Sequence, residues 1–161
     1  MGAAVPDEPE CLHAEAVAIT TAWAAANGLA TAPAALADLS VGSGSAIVYL
    51  RVLDEPPLID LISPLVRDVG FDPELHEALG AITRRMLIGR VYCTDRTIWA
   101  SCPVLARPFQ PEHLMIALSL MTGLADDLDD ELADRFGGMR AIGDEAGPHA
   151  VPDRDRIGMY L

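Results

Sequence analysis

The stretch richest in potential chemistry is Asp126-Asp127-Leu128-Asp129-Asp130. It fits D-D-x-x-D, a spacing that sets carboxylates on one helix face, where they can hold magnesium against a diphosphate, as in prenyl-transfer enzymes. On that reading Asp126, Asp127 and Asp130 would serve a magnesium-dependent enzyme acting on a phosphorylated substrate. The same helix offers Leu124, Leu128 and Leu132 as its buried side, so the carboxylates also read as a solvated face. An isoprenoid-binding bundle would need far more helix than this chain has, and a second metal motif is missing. The preferred reading is an acidic steering face of Asp126, Asp127, Asp129, Asp130 and Asp134 that attracts positive charge.

Other reactive residue types form no constellation. His13, His76, His113 and His149 are scattered, with no H-E-x-x-H and no cysteine at zinc-finger spacing. Cys93 and Cys102 fall on the expected core face of a hairpin, where a thiol is inert. There is no G-x-S-x-G, and a chain without lysine cannot carry a Walker A loop. These observations imply no catalytic residue, no metal and no cofactor.

The apolar residues are more informative. Gly89–Thr94 and Thr97–Cys102 alternate around Asp95-Arg96, the pattern of a two-residue hairpin. In that register Val91 faces Ala100 and Cys93 faces Ile98 on the core side, while Tyr92 faces Trp99 on the other. Tyr49 shares that outer side in its own strand. The three aromatics are expected to form a patch that anchors a partner or a second subunit. The run 114–121 is apolar nearly all round, so it should be covered on more than one side, and Met115 and Ile116 join the candidate contact surface.

These residues need positioning elements. A helix is expected from about Pro9 to Asn27, with residues 1–8 a loose leader and a short strand near Leu36–Val41. Ser45–Leu53 and Leu58–Val69 read as paired strands around Asp54-Glu55-Pro56-Pro57. Pro64 requires the second to be bent, bulged or at an edge. Asp72-Pro73-Glu74 starts a helix with the stripe Leu75, Ala78, Leu79, Ile82 and Met86. Pro111 opens the longest helix, about 111–136, with the stripe Leu114, Leu118, Met121, Ala125, Leu128, Leu132 and Phe136, stopped by Gly137-Gly138. The order implies an α+β fold with an antiparallel sheet flanked by helices.

The 161 residues, 51% of them hydrophobic, suffice for one core and leave little room for two domains. A single domain over 1–138 and a tail over 139–161 are expected. Asp and Glu number 24 against 11 basic residues, a net charge of −13 that disfavours nucleic acid and anionic membranes as partners. Three cysteines without C-x-x-C, and an acidic rather than basic N-terminus, suit a cytoplasmic protein.

Three stretches resemble a known group. Glu74-Leu75-His76-Glu77-Ala78-Leu79, Ile88-Gly89-Arg90-Val91-Tyr92 and Ile98-Trp99-Ala100 look like the central part of the YbjN-like proteins, which share a fold with type III secretion chaperones. Leu124–Leu132 with Phe136-Gly137-Gly138 resembles the final helix of actinobacterial members. The likeness spans about residues 10–138. It departs from the group at Gly80 and Thr83, where related chains often carry Asn. The resemblance implies a twisted antiparallel sheet flanked by helices, a homodimer, and a non-catalytic role holding a client protein or peptide, in secretion or regulation. A purely structural dimeric subunit is the other alternative.

Overall fold

The computed structural model describes residues 8–35 and 37–141. The described chain runs α1 (Glu8–Ala26), β1 (Ala30–Ala34), β2 (Ala37–Ser43), β3 (Ala46–Leu53), β4 (Leu58–Arg67), α2 (Leu75–Arg85), β5 (Arg90–Thr94), β6 (Thr97–Leu105), α3 (Pro111–Phe136) and β7 (Met139–Arg140). The strands form one antiparallel sheet in the order β1-β2-β3-β4-β6-β5, with β7 beside β4. This is the α+β arrangement the sequence implies.

Helix ends follow local chemistry. At the end of α1 the Asn27 side chain donates to the Trp23 carbonyl at 2.8 Å, and Gly28 takes φ 70°. Before α2 the Asp72 carboxylate accepts the Glu74 N–H at 2.8 Å. Pro111 occupies the first turn of α3, where its missing N–H costs no helical bond, and Gly137 ends the helix.

The inner face of the sheet carries the main core. Val48, Leu50, Ile59, Leu61, Leu65, Ala100 and Cys102 meet Leu114, Leu118, Met121 and Leu132 of α3 and Leu75 and Leu79 of α2. α3 lies over β3, β4 and β6, α1 packs against α3 and the β1–β3 side, and α2 sits on β5.

Pro64 lies inside the sheet, in β4. It falls between the last β3 partner, Ile62, and the first β7 partner, Val66, and the β4–β6 ladder bulges there. A residue without an N–H is tolerated where the ladder is already interrupted. Of the expected bend, bulge or edge position, the strand shows the bulge. β7 itself falls in the stretch expected to be tail: Gly138, at φ 90°, brings it against Arg67, where a Cβ would strike the carbonyl. Residues 1–7 of the expected leader and 142–161 of the expected tail lie outside the described residues.

The β5–β6 hairpin has the expected register, with Val91 opposite Ala100, Tyr92 opposite Trp99 and Cys93 opposite Ile98. Asp95 and Arg96 both take positive φ, as the tight turn demands. Arg96 Nε donates to the Val69 carbonyl at 3.2 Å, and the Val69 N–H donates to Arg96 O at 3.0 Å. These bonds offset the strain of a left-handed arginine.

Candidate functional site: a groove between two helices

Alternation assigns Tyr49, Tyr92 and Trp99 to the outer face of the sheet, and that face is correct. Their expected exposure is not. Trp99 is 2% exposed, Tyr49 is buried in a small cluster with Ile47 and Ile62, and Tyr92 is half-buried. The Arg90 guanidinium lies 5.2 Å from the Tyr92 ring centroid. Burial and then the Asp60 carboxylate push the Tyr92 phenol above its ordinary range, partly countered by Arg90 and Arg51. Trp99 and Tyr49 therefore present no open apolar patch.

The outer face also buries a charge pair that the sequence reading missed. Arg51 and Asp60 are register partners across β3 and β4, and Arg51 Nη2 donates to Asp60 Oδ2 at 2.5 Å. Ser101 adds a hydroxyl donor to Asp60 Oδ1 at 3.3 Å. A pairing already written into the hairpin register was the available signal.

The aspartates of α3 divide. Asp126, Asp127, Asp130 and Asp134 are exposed, as expected of a solvated face. Asp129 is not: it is 3% exposed and accepts the Ser45 hydroxyl of the β2–β3 turn at 2.5 Å. Its spacing from Ala125, Leu132 and Phe136 puts it on the buried side. Gly44, at φ 58°, lies so close to Asp126 that a Cβ there would strike the carboxylate. Asp130 pairs with Arg140 at 2.8 Å. No three His, Cys, Asp or Glu residues among the described ones group to hold a metal.

Open apolar surface lies on the helical side. A groove of about 390 Å³ runs between the end of α2 and the middle of α3. Ile82 and Met86 form one wall with Leu87 and Ile88 of the following loop. Leu120, Leu124 and Leu128 form the other, with Cys102 and Met121 on the floor. Leu87 is 89% exposed and Leu120 38%. Arg85 and Glu131 stand at the polar rim. One turn before Leu120, Ile116 is 55% exposed and continues the apolar surface, while Met115 beside it is half-buried.

The groove has a sequence signal: α3 carries a second stripe, Ile116-Leu120-Leu124-Leu128, offset from its core stripe. The loop pair Leu87-Ile88 also has no periodic partner. Cys102 at the base is pushed up to about 11, by burial first and the Asp60 charge second. Burial and then Asp95 raise Cys93 as well. Neither thiol is poised as a nucleophile.

Both sheet edges carry an interruption that disfavours an added strand. On β1, Pro33 interrupts the donors and the ladder shifts between Ala32 and Ala34. On β5, the Thr83 hydroxyl of α2 accepts the Val91 N–H at 2.9 Å and lies 3.2 Å from the Val91 carbonyl, to which it donates. Thr83 thereby caps the edge at Val91.

A helix-covered antiparallel sheet with an open interhelical groove is the frame of a binding module of the α+β class. Residues 18–144 match the family of T3SS (YopN, CesT) and YbjN peptide-binding chaperone 1, and the chain belongs to that family. No curated protein matches the chain. No helix among the described residues is long and apolar enough to cross a membrane.

Proposed function

We propose that this protein holds a segment of a client protein in the groove between α2 and α3, without catalysing a reaction on it. The observation that carries this is the open row of Leu87, Ile88, Leu120, Leu124 and Leu128 in a member of a peptide-binding chaperone family. Each such side chain buried by a client contributes up to about 1.5–3 kcal/mol. The exposed side chains of Ile116 and Leu120 replace Tyr49 and Trp99 as anchors, because a buried aromatic cannot meet a client without opening the fold. The exposed aspartates of α3 supply the attraction for positive charge.

The same reading takes the chain as a cytoplasmic homodimer that serves secretion or regulation. Exposed Phe71 and Leu105, away from the groove, are available for self-association. Affinity capture from native lysate tests the client reading beside the variant Leu87→Ser/Leu120→Ser, whose exposed positions leave the core intact. A defined protein is expected on the wild type and absent from the variant, and a peptide from that protein should bind the groove directly. Self-association with no client would favour a structural subunit.

A further inference from the structure

We propose that the segment held in this groove is an amphipathic helix of three to four turns with one basic flank. The inference rests on the client-holding reading above.

Three observations select this occupant. Strand addition is disfavoured at both edges, by Pro33 and the shift in β1 and by Thr83 over Val91 on β5. That leaves side-chain recognition rather than a shared ladder. The α3 wall from Leu120 to Glu131 is about 16 Å long at 1.5 Å per residue, and Ile116 extends it by about one turn. An apolar wall repeating every three or four residues matches residues i, i+3, i+4 and i+7 of a second helix. An extended segment of that length would turn only alternate side chains inward.

Charge then fixes the flank. Along the solvent edge of the α3 wall, Asp127, Glu131 and Asp134 follow at i, i+4 and i+7, all exposed. The opposite wall ends in Arg85, with Arg84 beside it. A client helix lying in the groove therefore meets carboxylates along one side only, and Lys or Arg belongs on that side. An isologous second copy whose two-fold crosses the groove would set acidic edge against acidic edge, in a chain of net charge −13.

Labelled synthetic peptides of about four turns test this by fluorescence anisotropy and circular dichroism. All carry one Leu/Ile face. One has a Lys flank, one a Glu flank, and one keeps the Lys flank but is broken by two prolines. The Lys-flanked peptide is expected to gain helix on binding. It should bind about tenfold more tightly than the Glu-flanked one at low salt, since three facing carboxylates each contribute a small, screened attraction. High salt, or Asp127→Asn/Glu131→Gln/Asp134→Asn, should close that gap. Leu87→Ser/Leu120→Ser should weaken both peptides.

Equal or tighter binding of the Glu-flanked or proline-broken peptide would overturn the basic-helix inference and leave the client reading standing. Failure of every peptide to bind, with captured clients unaffected by Leu87→Ser/Leu120→Ser, would overturn both.

Discussion

Replacing Trp99 by alanine separates the two meanings an aromatic on a sheet face can have. Trp99 lies on the outer face between Tyr92 of β5 and Pro64 of β4, its register partners, and is 2% exposed. A buried Trp truncated to Ala costs about 3–5 kcal/mol, combining lost transfer free energy with the cavity left behind. For a domain whose total stability is about 5–15 kcal/mol, that is a large fraction. At about 2.1 cal/mol/K per residue of unfolding entropy, it lowers the melting temperature of a 161-residue chain by about 9–15 °C. Urea unfolding of wild type, Trp99→Phe and Trp99→Ala, followed by far-UV circular dichroism, should show the midpoint falling in that order with a constant slope. A loss below about 1 kcal/mol for Trp99→Ala, accompanied by loss of client binding, would refute the burial argument. It would return Trp99 to the exposed anchor role that alternation alone suggests.

The Arg51–Asp60 pair gives a second test: Arg51→Met or Asp60→Leu alone should cost about 3–5 kcal/mol, because each strands a buried charge. The double variant should recover most of that loss in the same unfolding assay, and simply additive losses would show that the two charges do not depend on each other. Cysteine alkylation gives a third. With Cys102 raised to about 11 from the ordinary thiol value of 9.0, its thiolate is scarcer at pH 8 by about a hundredfold. Mass spectrometry should find exposed Cys11 modified first and Cys102 last. Because the folded-state value lies above the unfolded one, the stability tied to the neutral thiol is complete below pH 9.0 and is lost as pH rises toward about 11. Stability rising over that window would contradict the assignment.

Legibility in the sequence depended on which question a pattern answers. Period-two alternation fixed the β5–β6 register and the face of every residue in it, because a one-residue slip would exchange core and outer faces. The same alternation is silent about what lies over a face, so Tyr49 and Trp99 were assigned to the right side with the wrong exposure. Arg51 and Asp60 illustrate a different gap. Each alone looks like a solvent-facing polar residue in a strand. Only the turn at 54–57, which pairs Leu53 with Leu58 and therefore Arg51 with Asp60, shows that the two charges meet. Asp129 was misassigned because its membership of an acidic run put it on the steering face, although its helical spacing from Ala125 and Leu132 places it on the buried side. β1 escaped notice because Ala30–Ala34 contains Pro and small residues in place of the β-branched alternation of an interior strand.

The groove explains why acidity and apolar exposure occur together in this chain. α3 carries one stripe that meets the sheet and a second, Ile116-Leu120-Leu124-Leu128, of which Leu120, Leu124 and Leu128 line the groove and Ile116 is exposed among the described residues. α2 ends in Arg84 and Arg85, whose charges would be costly to bury between two helices. An uncovered apolar stripe is an aggregation hazard in a small protein, and a high net charge of one sign opposes that association. The net charge of −13, with Asp127, Glu131 and Asp134 beside the stripe, supplies this repulsion between copies. Those carboxylates cannot repel copies of this chain without also attracting basic segments. On the proposed reading, the charge that opposes association through the groove is also the charge that selects what enters it, and a salt-dependent preference for basic amphipathic clients is the expected outcome.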